Sequence, residues 1–197
     1  MRIGIDVDGV LTDLEGYLFD NAIQYFKQHN IELKNPKGYD VCGMFEVDES
    51  FNVSFWKFHV APYFAHAARD YAAEVISKLQ SEGNEIYIIT ARGSGKDQDT
   101  LGLDETKFVT EVWLNRNGIY PNKILFTDHG KLEVCLENNI DLMIDDMPKN
   151  LLDVSSKIKC FAYHAGYNEH ISNENITRCY SWYDIYYKLH ELQEANK

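Results

Sequence analysis

The sequence predicts an α/β protein: a parallel sheet with helices on both of its faces. Segments with the apolar pattern of strands alternate along the chain with segments whose apolar residues recur at helical spacing. Such alternation is typical of parallel sheets, because the crossover between two parallel strands is usually a helix that covers the sheet. The 197 residues suit one domain, or one domain with a modest insert, and a hydrophobic fraction of 45% allows a sizeable core.

The first half of the chain begins with a strand and contains an aromatic-rich region that does not alternate. The predicted elements are a strand at 3–7, a helix at 14–30, a helix in the middle of the aromatic-rich region that ends near 68, a helix at 71–83 and a strand at 84–90. Asp13 is the expected N-cap of the first helix. Pro62 is expected to break the helix of the aromatic-rich region.

The second half alternates more regularly and starts with a glycine-rich loop containing Gly93, Gly95 and Gly102. The predicted elements are helices at 104–118, 131–139, 147–157 and 180–197, and strands at 122–128, 140–146 and 158–164. Pro148 stands near the start of its helix, where proline is favoured. No internal repeat or low-complexity tract interrupts the series.

Composition excludes several classes of function. The net charge of -12 argues against binding of a nucleic-acid polymer, because no basic excess is available to neutralise its phosphates. The four cysteines form no CxxC pair, which predicts reduced thiols in a cytoplasmic protein. We expect no signal peptide and no membrane span, since no apolar run approaches about 18 residues.

Acidic and hydroxyl side chains follow the predicted strands at their carboxyl ends, where parallel sheets bind ligands. They are Asp6, Asp8, Thr90, Asp145 and Asp146. Several carboxylates in one crevice repel each other unless a cation lies between them, and oxygen ligands favour Mg2+. The sequence therefore predicts a magnesium site at this edge of the sheet.

The same residues permit phosphoryl transfer. Asp6, kept ionised by the cation, can attack phosphorus and form an aspartyl-phosphate. Asp8, two residues on, can protonate the leaving oxygen and then activate water. Lys131 can supply the fixed positive charge that a transferring phosphoryl group needs, and the Thr90 hydroxyl with the backbone N–H groups after it can bind another phosphoryl oxygen.

Four motifs in order resemble those of the haloacid dehalogenase-like (HAD) phosphohydrolases. "DVDGVLTD" is similar to the first motif, DxDGx(V/T/L), and "IYIIT", ending at Thr90, is similar to the second. Lys131, fourteen residues before Asp145, corresponds to the third motif, and "IDD" to the fourth. An acid at position 8, which HAD dehalogenases lack, favours phosphoester hydrolysis over carbon–halogen chemistry.

The resemblance narrows to the 5′-nucleotidase type C group, which includes the 5′(3′)-deoxyribonucleotidases. It implies a Rossmann-like, HAD-like catalytic core over 1–15 and 69–197, with a small helical cap over 16–68 inserted after the first strand. It implies that Asp6 is the nucleophile, that Asp8 is the general acid/base, and that Lys131 neutralises the phosphate and orients Asp6.

The resemblance also implies the ligand sets. The metal residues would be Asp6, Asp8 through its backbone carbonyl, Asp145 and Asp146, with Asp146 favoured for direct contact. The substrate-binding residues would be Thr90, Ala91, Arg92 and Lys131.

Several of these residues have simpler interpretations. Lys131 could be a solvated helix residue, with Lys107 and Lys123 as lower-ranked candidates for the phosphate lysine. Arg92 could contact phosphate or substrate, or only pair with a surface acid. The cap aromatics could stack on a nucleobase, but for most of them we expect a role as the cap's own core. They are Phe19, Phe45, Phe51, Phe55, Trp56 and His59.

The expected protein is thus a cytoplasmic, Mg2+-dependent phosphomonoester hydrolase that acts on a small phosphorylated metabolite, with a nucleoside 5′-monophosphate as the leading substrate. The alternatives are a phosphatase of a phosphosugar or another small metabolite, a phosphotransferase, and an inactive HAD scaffold that only binds its ligand. The sequence leaves the oligomeric state open.

Overall fold

The computed structural model describes residues 1–92, 103–127 and 130–195. Within these ranges the strands are β1 (Arg2–Ile5), β2 (Glu85–Thr90), β3 (Lys123–Phe126), β4 (Leu142–Asp145), β5 (Lys159–Tyr163) and β6 (Ile176–Cys179). The helices are α1 (Leu14–Gln28), α2 (Val41–Phe45), α3 (Glu49–Ala65), α4 (Ala72–Ser81), α5 (Leu103–Arg116), α6 (Lys131–Glu137), α7 (Pro148–Val154) and α8 (Trp182–Ala195), with a short 3-10 helix at Gly166–Asn168. The predicted glycine-rich loop lies outside the described residues.

The six strands form one parallel sheet in the order β3-β2-β1-β4-β5-β6, which confirms the predicted fold class. β1 lies in the middle, with β2 on one side and β4 on the other. The chain builds outward from β1 in one direction and then crosses to the other side at β4. This reversal places the carboxyl ends of β2, β1 and β4 side by side, as in the ligand-binding crevice of other open parallel sheets.

Helices cover both faces of the sheet. On one face Ile3, Ile5 and Ile88 pack in a cluster that also contains buried residues of α4, α5 and α8. On the other face Ile89 and Met143 pack with residues of α6 and α7. The strands therefore bury side chains on both sides, which explains why their sequences are apolar almost throughout.

The helices α1, α2 and α3 pack around a third hydrophobic cluster of their own. Phe26, Phe45 and Phe55 lie at its centre and are almost fully buried, while Phe19, Phe51 and Trp56 pack against it as partly buried residues. Most of the cap aromatics thus form a local core, as expected. The division into a core and a cap at residues 16 and 68 stays a prediction, which this separate cluster supports.

The first helix begins as predicted, whereas the helix in the aromatic-rich region does not end as predicted. The Asp13 side chain caps α1 by accepting the N–H of Gly16 at 3.1 Å. The predicted break at Pro62 is wrong, because α3 continues through Pro62 to Ala65. Proline removes one backbone donor from a helix, and here the buried rings of Phe55 and Tyr63 hold the helix on either side of it.

Three elements were not predicted: β6, α2 and the 3-10 helix. β6 is a four-residue edge strand of mixed polarity, and α2 is a helix of five residues. β6 was missed because its residues are of mixed polarity, and helices of five and three residues are too short to show a period. Among the residues that the structure describes, no helix combines the length and apolar character needed to cross a membrane.

Candidate active site

Three carboxylates meet at the carboxyl ends of the two central strands. Asp6 directly follows β1, Asp145 ends β4 and Asp146 comes next. Each offers one oxygen, and the three oxygens lie within 4.8 Å of one another. All three side chains are buried, although burial of an unpaired carboxylate is strongly unfavourable. The sequence therefore predicted correctly that these acids come together at one edge of the sheet.

Lys131, the first residue of α6, lies between two of these carboxylates. Its Nζ is 2.8 Å from Oδ1 of Asp6 and 2.7 Å from Oδ2 of Asp145. Because Lys131 is only 3% exposed, its interpretation as a solvated helix residue is wrong. The competing Lys123 lies at the exposed start of β3 and donates to Asn138 instead.

Asp145 and Asp146 differ in how their oxygens are occupied. Asp145 accepts from Lys131, from the N–H of Met147 at 2.9 Å and from the side-chain amide of Asn150. Asp146 accepts from the Tyr167 hydroxyl through Oδ2, while its Oδ1 is buried and has no hydrogen-bond partner. A buried carboxylate oxygen without a donor is rare, and it is the arrangement expected of a ligand to a hard cation. The residues present therefore fit a magnesium site, and of the two acids Asp146 is the one with an oxygen that no donor occupies.

The segment after β5 holds Asp146 in place. The Tyr167 hydroxyl donates to the carboxylate of Asp146, and the side-chain amide of Asn168 donates to the backbone carbonyl of Asp146 at 2.7 Å. Arg178 of β6 in turn donates to the Asn168 side chain at 2.6 Å. These residues were not predicted, because the 3-10 helix that carries Tyr167 and Asn168 has no periodic signal and β6, which carries Arg178, is of mixed polarity. The one available indication was that the segment follows the strand next to β4.

Position 9 requires a glycine because the carboxylate of Asp146 lies directly against its backbone. Its φ of +86° lies in the left-handed region, and a Cβ built on it would be 2.1 Å from Oδ2 of Asp146. Any side chain at this position would therefore both strain the backbone and displace the carboxylate. This contact explains why a glycine follows the two acids of the first motif.

The cluster is electrostatically unbalanced, with three carboxylates around one buried lysine. Burial, opposed by Lys131 and reinforced by Asp145 and Asp8, raises the pKa of Asp6 from 3.8 to about 7. Burial and the charges of Asp145 and Asp6 also hold the pKa of Asp146 well above its usual range. Burial opposes the charge of Lys131, but the two neighbouring carboxylates raise its pKa above the ordinary value. A bound cation would favour the ionised carboxylates and reverse the upward shifts.

Asp8 lies outside the group of three carboxylates. Its side chain, 26% exposed, accepts from the Arg92 guanidinium and from the Tyr63 hydroxyl of α3. Arg92 is buried, so its partner is this acid of the first motif and not a surface acid. The buried Thr90 accepts the N–H of Arg92 at 3.2 Å, and Ala91 between them is exposed. Phosphate binding by Thr90, Ala91 and Arg92, and metal binding through the Asp8 carbonyl, stay predictions.

Comparison with known proteins gives consistent matches. Residues 1–193 match the family described as 5′ nucleotidase, deoxy (pyrimidine), cytosolic type C protein. A protein of Clostridium acetobutylicum described as a nucleotidase is 29% identical over 200 residues, which cover 100% of this chain and 97% of that protein.

Solved structures share the fold at low sequence identity. A HAD family hydrolase from Deinococcus radiodurans, crystallised with phosphate and sodium, has a TM-score of 0.66 at 13% identity and covers 96% of this chain and 95% of its own. A D,D-heptose 1,7-bisphosphate phosphatase from Burkholderia thailandensis has a TM-score of 0.56 at 11% identity, covering 96% and 98%. These likenesses show the fold alone, since proteins with one fold act on different substrates.

The family match extends over nearly the whole chain and includes every element of the carboxylate cluster. The chain belongs to the 5′-nucleotidase type C family and is a phosphomonoester hydrolase of the HAD-like fold.

Proposed function

We propose that this protein is a Mg2+-dependent nucleotidase that hydrolyses nucleoside 5′-monophosphates through an aspartyl-phosphate on Asp6. One observation carries the proposal: Asp6, Asp145 and Asp146 are buried together around a single lysine, and Oδ1 of Asp146 has no donor. Such a cluster costs stability unless a cation and a phosphate complete it. The costly arrangement is therefore expected to serve catalysis.

Asp6 and Asp146, with the backbone carbonyl of Asp8, would hold the magnesium ion. When bound, the ion supplies positive charge that keeps Asp6 ionised and offsets the charge of the phosphate. Asp145 serves this site indirectly, because its oxygens are occupied by Lys131, Met147 and Asn150. In this arrangement Lys131 orients Asp6 and faces the transferring phosphoryl group.

The two oxygens of Asp6 have different roles in the proposed reaction. Oδ1 accepts from Lys131 and from the N–H of Val7 at 2.7 Å, so Oδ2 keeps its lone pairs for attack on phosphorus. As the Oδ2–P bond forms, the bond from phosphorus to the ester oxygen breaks, and Asp8 gives that oxygen a proton. Water then attacks the phosphorus while Asp8 takes a proton from it, and the Oδ2–P bond breaks, which restores the Asp6 carboxylate and releases inorganic phosphate.

The nucleotide substrate rests on the family and on the relative described as a nucleotidase. Sugar phosphates and other small phosphorylated metabolites are the competing substrates, because a protein of the same fold is described as a heptose bisphosphate phosphatase.

A cytoplasmic location belongs to the same proposal. It is supported by the four cysteines, all of which are free thiols, three of them buried.

A substrate panel tests the proposed activity. We expect kcat/KM for nucleoside 5′-monophosphates to exceed that for sugar phosphates at least about tenfold, a difference of roughly 1.4 kcal/mol in transition-state binding. Phosphate release should stop in EDTA and return with excess Mg2+. A preference for sugar phosphates would contradict the substrate, and indifference to chelation would contradict the metal.

Replacing Asp146 by asparagine tests the metal site without an activity assay. Burial and the charges of Asp145 and Asp6 hold the pKa of Asp146 well above its usual range in the folded protein, so the stability of the metal-free protein falls as the pH rises from the ordinary pKa of an aspartate towards the folded value. We expect Asp146→Asn to stabilise the metal-free protein at pH 8 by about 1–2 kcal/mol, as loss of a strained functional group often does.

The same variant should lose the rise in Tm that Mg2+ gives the wild-type protein. Asp153→Asn, the same change at an exposed position of α7, is the control and should leave both Tm values unchanged. A Mg2+-dependent rise of wild-type size in Asp146→Asn would mean that the ion binds elsewhere.

A further inference from the structure

The carboxylate of Asp8 is held by donors from two other parts of the chain. Arg92, which follows β2, places Nε 2.9 Å from Oδ2 and 3.1 Å from Oδ1, and Nη2 2.5 Å from Oδ1. Tyr63, near the end of α3, donates its hydroxyl to Oδ1 at 2.8 Å. Oδ1 therefore accepts three contacts and Oδ2 one. Oδ2 keeps free lone pairs and is the oxygen that can exchange a proton with a substrate.

Arg92 is fixed in position by its surroundings. It is 3% exposed, and its guanidinium carbon lies 4.4 Å from the ring centre of Phe64 and 5.5 Å from that of Trp113. Its charge persists in spite of burial, since Asp8 raises the pKa of the guanidinium. A planar fork that contacts both oxygens of a carboxylate sets the orientation of that carboxylate, which a lysine cannot do.

Tyr63 is fixed equally well. Its ring is 4% exposed and lies 4.9 Å from the ring centre of Tyr17. Its oxygen is 2.6 Å from Oγ1 of Thr12. The Tyr63 hydroxyl donates to Oδ1 of Asp8, so in its contact with Thr12 the Tyr63 oxygen accepts and the Thr12 hydroxyl donates. Two hydrogen bonds thus connect Thr12, in the segment after β1, to Tyr63 of α3 and Tyr63 to Asp8.

We infer that Tyr63 and Arg92 are positioning residues for Asp8, which they hold so that Oδ2 faces the leaving oxygen of the substrate. This inference rests on the proposed role of Asp8 as general acid. Because Tyr63 belongs to α3, the orientation of the acid depends on the helical segment 14–65 and not only on the sheet. By this inference Arg92 acts on the reaction through Asp8, which its Nε and Nη2 contact, whereas its Nη1 is buried without a hydrogen-bond partner and takes no part in this contact.

Two aryl phosphates of similar shape test the inference. p-Nitrophenolate leaves readily without a proton, whereas the phenolate of phenyl phosphate depends more on an acid. We expect Tyr63→Phe to lower kcat/KM for phenyl phosphate about tenfold and that for p-nitrophenyl phosphate about threefold or less, against the factor of 10²–10⁴ that a whole general acid contributes. Both substitutions should therefore raise the ratio of kcat/KM for p-nitrophenyl phosphate to kcat/KM for phenyl phosphate. In Arg92→Lys the inhibition constant of inorganic phosphate should stay unchanged.

A double-mutant cycle separates positioning from a merely structural role. In the Asp8→Asn background, Tyr63→Phe should change the ratio no further, because its effect passes through Asp8. Tyr25→Phe, in a tyrosine of α1 that packs against Phe26 and Phe55, is the matched control and should leave the ratio unchanged.

Unchanged ratios in both Tyr63→Phe and Arg92→Lys would overturn the inference. A weaker affinity of Arg92→Lys for inorganic phosphate with an unchanged ratio would assign Arg92 to the phosphate instead and overturn it for that residue. Wild-type protein that hydrolyses neither these esters nor nucleoside 5′-monophosphates would remove the proposed function itself, which is a different outcome from hydrolysis with unchanged ratios.

Discussion

Replacing Asp6 by asparagine is expected to lower kcat for p-nitrophenyl phosphate by a factor of about 10⁴ or more. The amide has nearly the shape of the carboxylate and can still accept from Lys131 and Val7, which contact Oδ1. It lacks the charge needed to attack phosphorus, and losses of this order are typical when a nucleophile is removed. Steady-state assays in excess Mg2+, with a search for a phosphorylated protein after acid quench, measure the effect.

The control for this prediction is Asp20→Asn, which makes the same change at an exposed position of α1. It should retain wild-type turnover. Turnover of Asp6→Asn within about a hundredfold of the wild type would remove Asp6 as the nucleophile, since residual catalysis by the rest of a site does not reach that level.

Replacing Lys131 by methionine is expected to destabilise the metal-free protein by about 3–5 kcal/mol at pH 8, the usual effect of removing one partner from a buried ion pair. Lys131 neutralises Asp6 and Asp145 at 2.8 and 2.7 Å, and methionine leaves both carboxylates buried without a cation. The pKa of Lys131 is raised in the folded protein, so its contribution to stability is fully present at pH 8.

The loss should be smaller at pH 5.5. With its lysine removed, Asp6 has a pKa raised further by burial and by Asp145, and it takes up a proton as the pH falls. Urea titration in EDTA at both pH values measures the difference. Lys123→Met, at the exposed start of β3, is the control and should change stability by less than about 0.5 kcal/mol. Equal stability of Lys131→Met and wild type at pH 8 would contradict the role of the lysine.

The strands that carry the site could be predicted because both their pattern and their ends are local features. Ile3 and Ile5, and Ile88 and Ile89, are buried by position in the sheet, and their apolar runs stop where the chain leaves it. In a parallel sheet all carboxyl ends lie at one edge. The arrival of Asp6 and Asp146 at the same edge of the sheet therefore followed from the alternation of strands and helices, whereas their close approach depends on the pairing of β1 with β4.

The partners of these residues could not be predicted in the same way. Arg92 and Asp8 are 84 positions apart in the sequence. No local sequence pattern indicates that the guanidinium of Arg92, which follows β2, contacts the carboxylate of Asp8, which follows β1. Tyr63 had the apolar surroundings of a cap-core residue, and only the packing of α3 places its hydroxyl on Asp8. The Tyr167 contact with Asp146 depends likewise on how the chain turns after β5.

The sequence by itself determined the fold class, the positions of acidic residues at the carboxyl ends of the strands, and the chemistry that those acids permit. These features could be predicted because side-chain identity and periodicity are local properties. The tertiary structure alone decided which oxygens are occupied and which are free. Oδ1 of Asp146 lacks a donor, and Oδ2 of Asp8 has lone pairs left, because of contacts between segments far apart in the chain. Hydrogen bonds require distances of about 3 Å, which spacing in a sequence does not specify.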